Sequence, residues 1–126
     1  MTSWTNDELA RIGDAGELEI AGRRPDGTLR KPRIVWAVRL GERLYVRSVN
    51  GPDAAWYRGV RACMQGHMDA GGVDRDVTVV DADHALDDAV DEAYRSKYRS
   101  SPSAVGHITS PEARSTTIEL VPGSTS

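Results

Sequence analysis

Between Arg23 and Arg61 lie ten of the chain's sixteen basic residues: Arg23, Arg24, Arg30, Lys31, Arg33, Arg39, Arg43, Arg47, Arg58 and Arg61. Only Asp26, Glu42 and Asp53 oppose them, so the segment carries seven net positive charges. The whole chain is at −3, which leaves about ten net negative charges on the remainder. Charge gathered in this way draws anions to one region of a molecule. Within the segment, Arg33 and Arg47 fall on the same face of an expected hairpin, and cross-strand side chains on one face meet. Two guanidinium groups held side by side suit bidentate contact with a phosphate or carboxylate. Ser48, Asn50 and the Gly51 amide follow at the strand end, and the helix start after Asp53 adds free N–H groups. One reading is an anion pocket. The other is an outer strand face whose arginines pair with acids elsewhere.

Other groups offer less chemistry. His67, His84 and His107 match no metal-ligand spacing, and no metal is expected. Asp87, Asp88, Asp91 and Glu92 read as an exposed helix face, and Asp81 and Asp83 as turn and cap residues. Cys63 is the single cysteine, which excludes an internal disulfide. Its neighbours Val60, Met64 and Met68 suit a buried, inert thiol. No catalytic acid or base is assigned. Trp36, Tyr45, Trp56 and Tyr57 could stack on bases, but the acidic remainder opposes a long polyanion, so no nucleic-acid partner is expected. No apolar run is long enough to span a membrane, and no secretion signal opens the chain. The expected location is cytoplasmic.

The elements that must position these groups are readable from pattern. Thr5 and Glu8 form a capping box, with Trp4 and Leu9 placed as a hydrophobic staple, for a helix over 6–12. Strands are expected at 17–21, 33–40, 43–49, 64–70, 76–80 and 115–121 from their period of two. In the second, Ile34, Trp36, Val38 and Leu40 are assigned to the core face. Gly41-Glu42 suits a type II′ hairpin turn. Asp53 is expected to cap a helix over 54–63. Asp83 is expected to cap a longer one through Tyr98, with acids early and bases late as the helix dipole favours. Residues 100–111 read as a loop and 122–126 as a flexible tail.

The fold class that follows is α+β, mainly β: a six-stranded antiparallel barrel with three accessory helices. Barrels remove the open edges that short strands otherwise expose. A chain of 126 residues suits one domain, 1–126, with 1–16 as N-terminal helix and linker. There is no Phe, and Leu, Ile and Val make up just under a fifth of the chain. So small a core is often completed by a second copy, and a homodimer is expected.

The run Gly27-Thr28-Leu29-Arg30-Lys31-Pro32-Arg33, the pair of strands through Tyr45-Val46-Arg47-Ser48, then Gly51 and Ala55-Trp56-Tyr57, is similar to the flavin-binding split-barrel superfamily. The pattern most resembles its deazaflavin-dependent nitroreductase branch. Gly66-His67-Met68, Gly71-Gly72 and Asp76-Val77 add a likeness to a small bacterial split-barrel family of unknown function. The resemblance spans roughly residues 17–120. It implies an FMN or deazaflavin cofactor whose phosphate is held from these strands and the following helix, in a groove at a dimer interface. Carried over by position, Arg30, Arg33, Arg47, Ser48, Trp56 and Tyr57 are the candidate cofactor-binding residues. Arg47 stands where that branch has a small residue, and Cys63-Met64-Gln65-Gly66 replaces its Asn-Pro. Arg47 either adds a phosphate contact or fills the groove. The function implied is a flavin- or deazaflavin-binding oxidoreductase-like protein of unspecified substrate. The alternative is a module without cofactor that binds another small anion or a protein.

Overall fold

The computed structural model describes residues 4–123. Its strands are β1 (Leu18–Gly22), β2 (Arg33–Val35), β3 (Ala37–Leu40), β4 (Arg43–Val46), β5 (Gln65–Ala70), β6 (Val73–Asp81) and β7 (Ile118–Pro122). All pair antiparallel, in the order β2-β1-β5-β6-β7-β4-β3. The two ends of this sheet are the two halves of one extended segment. β2 pairs with β1, Ile34 opposite Glu19. β3 pairs with β4, Val38 opposite Tyr45. Trp36 alone joins them, so the sheet curls into a nearly closed barrel. The seven strands are the expected six, with the segment 33–40 divided at Trp36.

The helices are α1 (Asn6–Asp14), α2 (Ala55–Cys63), α3 (Asp87–Lys97), α4 (Pro102–Ile108) and α5 (Pro111–Arg114). A 3₁₀ turn, His84–Leu86, leads into α3. The capping box forms in both directions: the Glu8 amide donates to Thr5 Oγ1 at 3.1 Å and the Thr5 amide to Glu8 Oε1 at 2.9 Å. Trp4 is buried and its Nε1–H donates to the Leu120 carbonyl at 2.9 Å. α1 packs on β3, β4 and β6 and contributes Leu9 and Ile12 to the barrel core.

Two apolar clusters explain the pattern of the strands. Leu18, Ile20, Val35, Ala37, Leu44, Val46, Met68, Val77, Val79, Ile118 and Leu120 fill the barrel. Val38 and Tyr45 point the other way, under α3 and α4, with Val90, Tyr94, Tyr98, Val105 and Ile108. The expected faces of segment 33–40 are therefore reversed. Val35 and Ala37 face the barrel interior, while Ile34 is 59 % exposed. Trp36 lies flat on Tyr98, ring centroids 3.8 Å apart. Both faces of this segment carry apolar residues because one lines the barrel and the other takes a helix layer. Alternation alone does not say which is inside.

Further expectations are corrected. Asp53 does not cap α2: the N-cap is Ala54, with no side-chain hydrogen bond. Asp83 caps the 3₁₀ turn, accepting from the Ala85 amide at 2.9 Å. The stretch read as a loop holds α4 and α5, each with proline at its start and the second capped by Ser110. Five α-helices, not three, therefore accompany the barrel among the described residues. β7 runs through buried Pro122, opposite Val77, where the expected tail begins; residues 124–126 lie outside the described residues. The Gly41 turn is as expected: Gly41 has φ 59°, and Glu42 stays at negative φ.

Candidate functional site

A groove of about 470 Å³ opens where the barrel seam meets α2 and α4. Trp36 and Trp56 line it, with Arg33, Ile34, Val49 and Ala104. One face of Trp36 is backed by Tyr98, and the Tyr94 hydroxyl donates to the Trp36 carbonyl at 2.7 Å. The indole is thus held against α3 at the point where the chain changes strand partner. α2 supplies Trp56, set edge-on to Tyr57 with centroids 5.9 Å apart.

At the α2 side the groove runs into a recess lined by Arg24, Arg30, Lys31 and Arg33, with Gly22, Ala55 and Trp56. Arg33, Ala55 and Trp56 line both spaces. No carboxylate lines either of them. The basic loop is ordered by its own contacts. Arg24 Nη1 donates to the Leu29 carbonyl at 2.9 Å. Arg23 Nη1 donates to the Gly27 carbonyl at 2.7 Å and its Nη2 to Asp76 Oδ1 at 2.8 Å. Arg30 crosses α2 at Gly59, where an added Cβ would lie 2.8 Å from Arg30 Cδ. A larger residue at 59 would force the Arg30 side chain to shift. Arg30 Nε is buried and has no hydrogen-bond partner among the described residues. α2 itself starts at Ala55 with no side chain on its first amides, which leaves N–H groups and positive helix potential beside the recess.

Arg47 has a different surrounding. It is 1 % exposed. Its Nε donates to Thr117 Oγ1 at 2.8 Å, its Nη1 to Asp91 and to the Ile108 carbonyl at 3.2 Å, and its Nη2 to the Asp87 carbonyl at 3.1 Å. The guanidinium carbon lies 5.6 Å from the Tyr94 ring centroid. Arg114 Nε approaches the other Asp91 oxygen at 3.5 Å. Arg47 therefore ties β4 to α3 and α4 and forms part of the groove's floor with Ile108. The acids that hold it are its own chain's Asp91 and Asp87. Asp81 pairs with Arg61, and Glu119 lies 3.9 Å from Arg43.

Ser48 is fully buried. Its amide donates to Thr116 Oγ1 at 2.8 Å, and its hydroxyl has no partner among the described residues. Tyr57 is buried with the barrel core and borders a separate polar depression with Arg58, Arg61, His84 and Ser115. Of the six residues singled out from sequence, the fold thus brings Arg30, Arg33 and Trp56 to one recess. Arg47 lies in the floor, Ser48 within the packed interior and Tyr57 in the barrel core. Sequence reasoning missed Trp36, assigned to the core, and Ala104 of α4, assigned to a loop. Ser-Pro at 101–102 is a helix-start signal that could have found α4.

Solved structures share this architecture. A candidate pyridoxamine 5'-phosphate oxidase from Listeria innocua superposes with a TM-score of 0.60 at 12 % identity, over 94 % of this chain and 90 % of that one. An F420 reductase superposes at 0.51 and 17 % identity, over 93 % and 92 %. A conserved hypothetical protein from Mycobacterium tuberculosis gives 0.56 at 12 %, over 99 % and 83 %. At such identities the likeness shows the fold, a split barrel. No protein of curated function matches the chain. Residues 8–120 match one family model, and the chain belongs to that family, the bacterial proteins described as uncharacterized and conserved (DUF2255).

Proposed function

We propose that this protein binds a flavin-type cofactor, FMN or a deazaflavin, in the groove and serves as an oxidoreductase-like protein. The observation that carries the reading is the continuity of an aromatic-lined groove with a basic recess free of carboxylates. The groove's volume is within the range of small-molecule sites. Arg30 and Arg33, with the first amides of α2, would hold the phosphate. Trp36 and Trp56 would border the planar ring. Arg30 Nε, buried without a partner, is the kind of orphaned donor an anion would satisfy. The bound cofactor would supply hydride transfer, and the protein binding, orientation and electrostatics. No Asp, Glu, His or Cys side chain lines the groove, so this chain brings no obvious acid or base to the site.

The same reading takes a second copy of the chain as cover for the groove. Ile34 and Val49, 59 % and 46 % exposed, lie together in its lining, and a homodimer contact would remove them from water. The test is a titration of the purified protein with FMN and with a deazaflavin coenzyme, read by tryptophan fluorescence. Two of the three tryptophans line the groove, so binding quenches much of the signal. Arg33→Ser is expected to weaken binding at least tenfold, on the order of one charge-assisted contact. Lack of binding by either cofactor at high micromolar concentration overturns the proposal. Saturable binding of inorganic phosphate alone would then favour a non-catalytic anion-binding module, the second reading the basic recess supports.

A further inference from the structure

Away from the groove, one amine occupies a setting poorly suited to its charge. Lys97 is one of only two lysines in the chain, the other being Lys31. It stands in the last turn of α3, half-buried, and its Nζ donates to the Ala37 carbonyl at 2.6 Å. Nζ lies 5.2 Å from the Tyr98 ring centroid. The side chain borders a cavity of about 330 Å³ between α1, β3 and α3, shared with Leu9, Gly13, Asp14, Val38 and Arg39.

An ammonium brings three N–H donors and needs acceptors for them. Here one strong acceptor is present, and Lys97 forms no ion pair among the described residues. Burial favours the neutral amine, which can keep one N–H on the Ala37 carbonyl and still offer a lone pair. The charged groups facing the site are Asp14 from α1 and Arg39 from β3, and Tyr98, the α3 C-cap, lies beside it. Burial pushes the Lys97 amine down to about 8, with Asp14 opposing. Arg39, whose side chain helps line the cavity, uses its Nε on the Gly41 carbonyl at 2.7 Å, and its outer guanidinium nitrogens make no hydrogen bond among the described residues. A nucleophilic amine and a cation thus border one small space. That pairing suits a compact molecule with a carbonyl and a carboxylate.

We propose that Lys97 is a nucleophilic amine that forms an imine with a small carbonyl compound bearing a carboxylate, which Arg39 binds. The Nζ lone pair attacks the carbonyl carbon, and the carbonyl π pair moves to oxygen, which takes a proton. Nζ loses a proton, the hydroxyl leaves as water after a second protonation, and the C=N bond forms as nitrogen gives up its remaining proton. Asp14, in the same cavity, can carry these protons. The sum is amine plus carbonyl giving imine plus water, with no oxidant or reductant. This site is independent of the proposed cofactor groove.

The experiment uses the full chain with glyoxylate as the probe and cyanoborohydride to reduce the imine, read by peptide mass spectrometry from pH 6 to 9. Lys97 is expected to carry the carboxymethyl adduct about tenfold faster than Lys31 at neutral pH. That margin is modest beside the neutral fraction gained by so large a downward shift. Its labelling is expected to reach half-maximum near 8. Arg39→Gln is expected to slow trapping of glyoxylate several-fold while leaving acetaldehyde, which has no carboxylate, unaffected. Lys97 labelling no faster than Lys31 in the unaltered protein overturns the proposal. So does an Arg39→Gln variant, folded by circular dichroism, that slows neither probe or both alike.

Discussion

Replacing Asp91 by Ala should expose how much of this small fold hangs on a buried charge pair. Arg47 has no side-chain exposure and Asp91 only 7 %. Removing one partner of such a pair strands the other charge in low dielectric, a loss of about 3–5 kcal/mol. Arg47→Met should cost a similar amount, because it leaves the Ile108 and Asp87 carbonyls without their donor. The double variant strands neither Arg47 nor Asp91, and Asp87 keeps its contact with His84. Its cost should fall short of the sum of the singles by about 2 kcal/mol, within the range found for residues in one network. Urea unfolding of the four proteins closes the cycle. Since a domain of this size has only about 5–15 kcal/mol of stability, the singles should unfold at markedly lower denaturant. If each single costs less than about 1 kcal/mol and the coupling is near zero, water reaches Arg47. The guanidinium would then be available to a ligand, and the assignment of Arg47 to the framework would be wrong.

Gly22 of β1 faces α2 so closely that an added Cβ would lie 2.9 Å from the Gly59 carbonyl carbon and the Val60 nitrogen. Gly22→Ala should therefore cost about 1–3 kcal/mol through overpacking and displace the helix that carries Trp56. Urea unfolding and the fluorescence titration read the two effects, and a neutral substitution would show that α2 yields freely. His67 lies between Asp76 and Asp74, which raise its pKa above the ordinary 6.5. Its contribution is fully present below that value and lost as pH rises through the folded one. Asp76 is held below 3.8, by His67 and then Arg23, so its contribution is present above 3.8 and lost as pH falls through its folded value. Stability from this cluster should peak between the two, and His67→Gln should flatten the alkaline fall in the urea midpoint. An unchanged fall would assign it to other groups.

How much of this was legible depends on how local the cause is. The capping box at Thr5 and Glu8 and the tight turn at Gly41 are decided within a few residues, and both form as their sequences require. The β3–β4 hairpin follows for the same reason. The inside and outside of segment 33–40 are decided by α3, some fifty residues later, which covers the outer face and makes Val38 and Tyr45 as buried as Leu44. Arg47 belongs to the same case. On a bare strand it reads as a ligand-binding or solvent-facing group, and only the arrival of Asp91 and Ile108 over it makes it a framework residue. The candidate site divides along the same line. Arg30, Arg33 and Trp56 are close in sequence and come together. Trp36 and Ala104 join them only through the helix layer.

The position of β7 has a bearing on how the molecule is made. It lies between β6 and β4, yet it follows every other strand in the chain. Before it docks, β1, β2, β5 and β6 can pair among themselves, as can β3 and β4, but no ladder joins the second group to the first except through the Trp36 corner. Each group then presents an unpaired strand edge, the condition that invites pairing with other chains. During synthesis the two half-sheets must wait for residues 118–122 before they share a core. The non-local pairing of Leu44 with Leu120 marks that step as slow. Nascent chains stalled ahead of Ile118 should accordingly be the aggregation-prone species, because β7 later covers the β6 and β4 edges.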